Sequence, residues 1–232
     1  MNAEQTPFRP GWYGTDLGAY RPCDGTYCLY PYESLPPLPD ERFRGDFAWL
    51  GVLDASLDRT MEVYRPPQAA RERMAARVGQ LAMAARRLGL TLPAPFLGFM
   101  GAVDLQARIP SCTACYFDLS GRIIPCPGRD DAYLIRFLND QQDVLMWYLY
   151  LNRAGDHCVV VSPVYFDDEP LAPEVAAAVG DYGFHCAPSF EAFVYRFWLE
   201  NRIWFALSEG DMALTEEMQA YLDHYGSARG QA

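Results

Sequence analysis

The sequence predicts an α+β domain: a mixed, mostly antiparallel sheet packed by helices, with an aromatic- and proline-rich N-terminal extension. Three observations carry this. Residues 133–162, YLIRFLNDQQDVLMWYLYLNRAGDHCVVVS, are apolar runs broken by a polar corner and a Gly-containing turn, the pattern of buried antiparallel strands. Residues 189–207, SFEAFVYRFWLENRIWFAL, carry Phe and Trp at helical spacing behind a Ser in the N-cap position. LTLPAPFLGFM at 90–100 precedes both, so the order is helix, short helix, antiparallel strands, closing helix.

Residues 1–60 differ from the rest. Ten aromatics fall between Phe8 and Trp49, interleaved with Gly and Pro, and the PPLP run at 36–39 forbids a long helix there. This reads as an extended arm whose rings either lie on the body of the protein or grip a partner. The body spans 61–210, and 211–232 is a C-terminal helix and tail. Within the body, residues 67–88 form a helix: Met74, Val78, Leu81, Ala85 and Leu88 repeat at helical spacing, and Gly89 stands where a left-handed C-terminal residue belongs. Pro93 opens a short helix through Met100. Strands are expected at 115–119, 122–125, 132–138, 144–151 and 157–162, with NRAGD at 152–156 turning the last hairpin. An acidic loop at 163–180 leads into a short Ala-rich helical patch, and Thr215 caps a final helix ending near Gly226.

The net charge is −11, from nineteen basic and thirty acidic residues. That balance argues against a phosphate-binding surface, so nucleic acid is not the expected partner. All the cationic side chains are Arg, which reads chiefly as genome composition. Residues 65–90 hold six Arg against one Glu, making that segment +5 and the remainder −16. The chain opens without an apolar leader, and its longest apolar run, 144–151, is too short to span a bilayer, so a soluble cytoplasmic protein with no membrane partner is expected.

No motif for catalysis, cofactor or metal stands out. Cys112 and Cys115 form one CxxC with Cys126 beyond it, but a structural zinc site needs a second pair of ligands. Buried inert thiols are the expectation. Cys23 and Cys28 are spaced to permit a disulfide, which a cytoplasmic setting would keep open. The three His sit at no triad spacing, no Gly-rich phosphate loop occurs, and the absence of Lys removes Schiff-base chemistry. Neither catalytic residues nor a cofactor are therefore assigned.

LPAPFLGFM (Leu92, Pro93, Phe96, Phe99, Met100), the strand set and the SFEAF helix (Ser189, Phe190, Phe193) together resemble the SMI1/KNR4 family of the SUKH superfamily, over roughly residues 90–207. PSCTACYFDLS at 110–120 stands where that family has a Gly-Gly loop, marking a divergent member. The resemblance implies one curved mixed sheet backed by helices. It also implies, for a bacterial member, an immunity protein that binds and neutralises a toxin. The functional expectation is thus a non-catalytic protein-binding domain with an acidic surface for a basic partner. Its candidate contacts are Asp130, Asp131, Asp140, Asp143, Asp167, Asp168 and Glu169, all read as exposed. The rival is a structural or regulatory subunit anchored by its N-terminal arm; a divergent enzyme is a weaker one.

Overall fold

The structure is a computed structural model that describes residues 6–167, 179–209 and 212–229. Its core is a seven-stranded mixed sheet, mostly antiparallel, with helices packed on it. The centre is β6 (Ala132–Asn139), β7 (Met146–Asn152) and β8 (His157–Ser162), paired antiparallel in sequence order. Nearly every residue of these strands is buried, because both faces are covered, and this is why they read as continuous apolar runs. Leu149, Leu151, Val159 and Val161 face one hydrophobic cluster; Tyr148, Tyr150, Cys158 and Val160 alternate onto the other. A bulge between Arg136 and Leu138 lets Phe137 and Leu138 both turn to the first cluster.

The outer edge of β6 is covered by two short strands, β4 (Tyr116–Phe117) and β5 (Ile124–Pro125). On the far side β8 pairs with β9 (Phe184–Ala187), a strand absent from the sequence reading. β9 in turn pairs parallel with β1 (Arg9–Pro10), which makes the sheet mixed. FHCA is too short, between Gly183 and Pro188, to show a strand period. β2 (Trp12–Gly14) and β3 (Cys28–Tyr30) form a separate hairpin whose loop is closed by a Cys23–Cys28 disulfide. The expectation of open thiols at this pair is corrected here: the hairpin sets the two Cα atoms 5.7 Å apart, within disulfide reach.

One face of the sheet carries the helices. α1 (Ala55–Glu62), α2 (Gln68–Arg87), α3 (Ala94–Gly101) and α4 (Val103–Gln106) precede the strands. α5 (Val179–Tyr182), α6 (Phe190–Glu209) and α7 (Glu216–Arg229) follow them. α2 buries Met74, Val78, Leu81 and Ala85, and Gly89 closes it at φ 75° with Leu90 N–H donating to the Ala85 carbonyl. Phe190 and Phe193 of α6 pack edge-on against Phe137, and Phe190 also meets Phe96 of α3. Trp12, Leu17, Leu35, Phe47 and Leu50 complete this cluster from the N-terminal side. The opposite face is covered by Phe8, Cys126 and Phe166. Among the described residues no helix is long and apolar enough to cross a membrane. The expected Ala-rich patch after the acidic loop falls mostly outside the described residues.

Candidate functional site

α6 runs through the middle of the molecule with Arg196, Glu200 and Asn201 all buried along it. Glu200 is 3% exposed and accepts four hydrogen bonds. Two come from the Arg21 guanidinium at 2.5 and 2.7 Å, one from Trp12 Nε1 at 2.9 Å and one from the Tyr221 hydroxyl at 2.6 Å. Burial pushes the Glu200 carboxyl up, but the charge and hydrogen bonds of Arg21 override it, and the group titrates below its ordinary value. Arg196 completes the cluster, donating to Tyr221 and to the Pro36 carbonyl. This network fastens the N-terminal hairpin, α6 and α7 together, and most of its polar atoms bond one another, with Arg21 Nε buried and unbonded. It is a clasp.

A cleft of about 390 Å³ lies beside it. Met61 and Tyr64 flank it from α1 and its C-terminal end, and Trp204 and Phe205 from α6. Its polar wall holds Thr26, Cys112, Thr113, Asp140, Gln141 and Gln142. The 111–115 turn is pinned in place: Cys112 N–H donates to Asn201 Oδ1 at 2.7 Å and Cys115 N–H to Ser111 Oγ at 2.8 Å. Ala114 takes a left-handed φ of 55° to make that turn. Tyr27 reaches over from the hairpin and donates its hydroxyl to Asp140 Oδ2 at 2.6 Å, 2.7 Å from Thr113 Oγ1. Burial and the Asp140 carboxylate raise the Tyr27 pKa, so the phenol stays protonated.

The candidate acids do not share one surface. Asp130 and Asp131 are exposed before β6, with Asp131 paired to Arg129 at 3.1 Å. Asp143 is exposed at the other end of the same strand, roughly 30 Å away at strand rise. Asp140 is 2% exposed, contrary to its reading as a surface acid. The β6–β7 corner folds its carboxylate inward to accept from Tyr27 and from the Gln142 N–H at 2.8 Å. Asp167 is likewise drawn in, by Arg136, which is 4% exposed and pairs with it at 3.1 Å. Burial raises the Asp167 carboxyl, with Arg136 opposing. Asp168 and Glu169 lie outside the described residues.

The thiols are poorly suited to attack. Burial lifts Cys112 to about 12 and Cys115 to about 11, and lifts Cys126 and Cys158 to about 12. Among the described residues no group of three or more His, Cys, Asp or Glu could hold a metal ion. No family model, curated protein or solved structure matches the chain. The clasp and the cleft were not foreseen as units. One signal was present: Arg196 and Glu200 stand four residues apart in the middle of an aromatic-rich helix, a pattern that calls for buried partners.

Proposed function

We propose that this chain is a non-catalytic protein-binding domain of the immunity type, which captures a basic toxin partner and covers its working surface. The observation that carries the reading is an exposed polar corner with Asp143 on it, beside a cleft lined by Asp140 and by no cationic residue. Gln141, Gln142, Asp143 and Val144 are exposed in a corner held between two fully buried strands. A loop mounted so firmly suits recognition. The net charge of −11 would speed encounter with a cationic protein. Resemblance to the SMI1/KNR4 family supplies the immunity role. Raised thiol pKa values support binding over thiol chemistry.

Anchoring of an assembly by the N-terminal arm is the less favoured reading, because Trp12, Leu17 and Phe47 are used up inside this chain's own core. The test is affinity purification of the tagged protein from its native cell at ~0.1 M and ~1 M salt, across which the Debye length falls from ~10 to ~3 Å. A basic protein should be retained at low salt, lost at high salt and held more weakly by an Asp143→Asn variant. Recovery of no partner, or of one indifferent to both changes, rejects the reading.

A further inference from the structure

Among the described residues the inward-facing acids have either a cation or a helix terminus beside them, with one exception. Glu200 has Arg21, and Asp167 has Arg136. Glu191 sits in the first turn of α6, where the helix dipole favours an anion, and takes N–H donors from Gly45 and Trp49. Asp140 has neither cation nor helix terminus. Its hydrogen bonds come from a neutral phenol and one backbone N–H, using two of roughly four acceptor positions on a carboxylate. Among the described residues Asp140 forms no ion pair with an Arg. A buried carboxylate without a cation is costly, and proteins seldom keep one uncompensated.

Asp140 lines the cleft of about 390 Å³, a size typical of ligand sites and large against the ~30 Å³ share of one liquid water. Tyr64, Trp204 and Phe205 line it too, and the lining includes no Arg. One carboxylate, three aromatic rings and no resident positive charge make a site for a cation with an apolar stem. A flat guanidinium suits it better than an ammonium, since it is more weakly hydrated, stacks on rings and can approach a carboxylate side-on.

We propose that this cleft receives an arginine side chain of the protein partner, supplying the counter-charge that Asp140 lacks. This rests on the reading of the chain as a binder of a basic protein. It names the contact: the arginine stem lies among Met61, Tyr64 and Trp204, and its head points at Asp140. The exposed corner residue Gln141 guards the mouth.

The test is calorimetric titration of the full chain with three probes: a capped tripeptide with arginine at its centre, the same tripeptide with citrulline, and free L-arginine. The arginine tripeptide should bind at least ~tenfold more tightly than the citrulline one, since only the former carries charge. Asp140→Asn and Trp204→Leu should each weaken it at least ~tenfold. Gln141→Arg, at an exposed position that leaves the fold alone, should do the same by placing a resident cation at the mouth. Equal binding of the two tripeptides, no binding of either, or binding unchanged by Gln141→Arg overturns the proposal. Tighter binding of free arginine than of the tripeptide overturns the partner as its source. The two readings fail separately. A basic protein captured equally well by wild type and Gln141→Arg removes the cleft from the interface and leaves the binder reading standing. Arginine-specific tripeptide binding with no protein ever captured removes the binder reading and the source assigned here, while the cleft's preference for a guanidinium stands.

Discussion

Replacing Glu200 by Gln removes one charge from the clasp and almost no volume. The Arg21 guanidinium, 3% exposed, is then left in the core without its counter-ion. The Gln amide also turns a donor toward a shell made of donors: Arg21, Trp12 Nε1 and the Tyr221 hydroxyl. Stranding one member of a buried pair costs about 3–5 kcal/mol. Against a whole-domain stability of about 5–15 kcal/mol, that is a large share. Urea unfolding followed by tryptophan fluorescence measures it as a lower midpoint with an unchanged slope. Arg21→Met should cost a similar amount, and Arg21→Met with Glu200→Leu should recover most of the loss, because two apolar side chains strand no charge. The carboxyl is held below its ordinary 4.5 in the folded protein, so its contribution is full above that value and lost as pH falls through the folded one. Wild type should therefore lose stability on acidification below about pH 5 faster than Glu200→Gln does. A single-variant cost under ~1 kcal/mol, or a double variant whose cost is the simple sum, refutes the clasp as a charge-paired unit.

A methyl group added at Gly14 would stand 2.3 Å from Arg21 Nη2, and the guanidinium is held by Glu200 and cannot swing aside. Gly14→Ala should cost about 1–3 kcal/mol, read from the same urea curves, and a neutral result would mean the hairpin gives way easily. Removing residues 1–50 takes Phe8, Trp12, Leu17, Leu35, Phe47 and Leu50 out of the core. At ~1.5–3 kcal/mol each the loss is about 9–18 kcal/mol, as large as the whole stability of a domain, so the truncated chain should show no cooperative thermal transition. A folded truncation product would show that the arm is dispensable. Alkylation of the five free thiols in native protein at pH 8 should run at least ~tenfold slower than that of an unfolded control, since burial raises their pKa values. One rapidly labelled cysteine would reopen thiol chemistry at that position.

What the sequence determined by itself was the part of the fold made by local pattern. β6, β7 and β8 were legible because strands buried on both faces are written as unbroken apolar runs. α2 and α6 were legible from their stripes and end signals, which depend only on neighbours within a turn or two. Tertiary structure decided the rest. β9 and β1 are too short to carry a period; β9 is a strand because it pairs with β8, and β1 because it meets β9, Arg9 opposite Phe184 and Pro10 opposite His185. α1 went unmarked because eight residues with two buried ones hold no long stripe. Asp140 and Asp143 are three positions apart in one polar corner and look alike in the sequence, yet one carboxylate is folded under Tyr27 and the other stands in solvent. Which of them a corner turns inward depends on a hydroxyl arriving from position 27. Charge and polarity are properties of a residue; burial and pairing are properties of what the chain brings beside it.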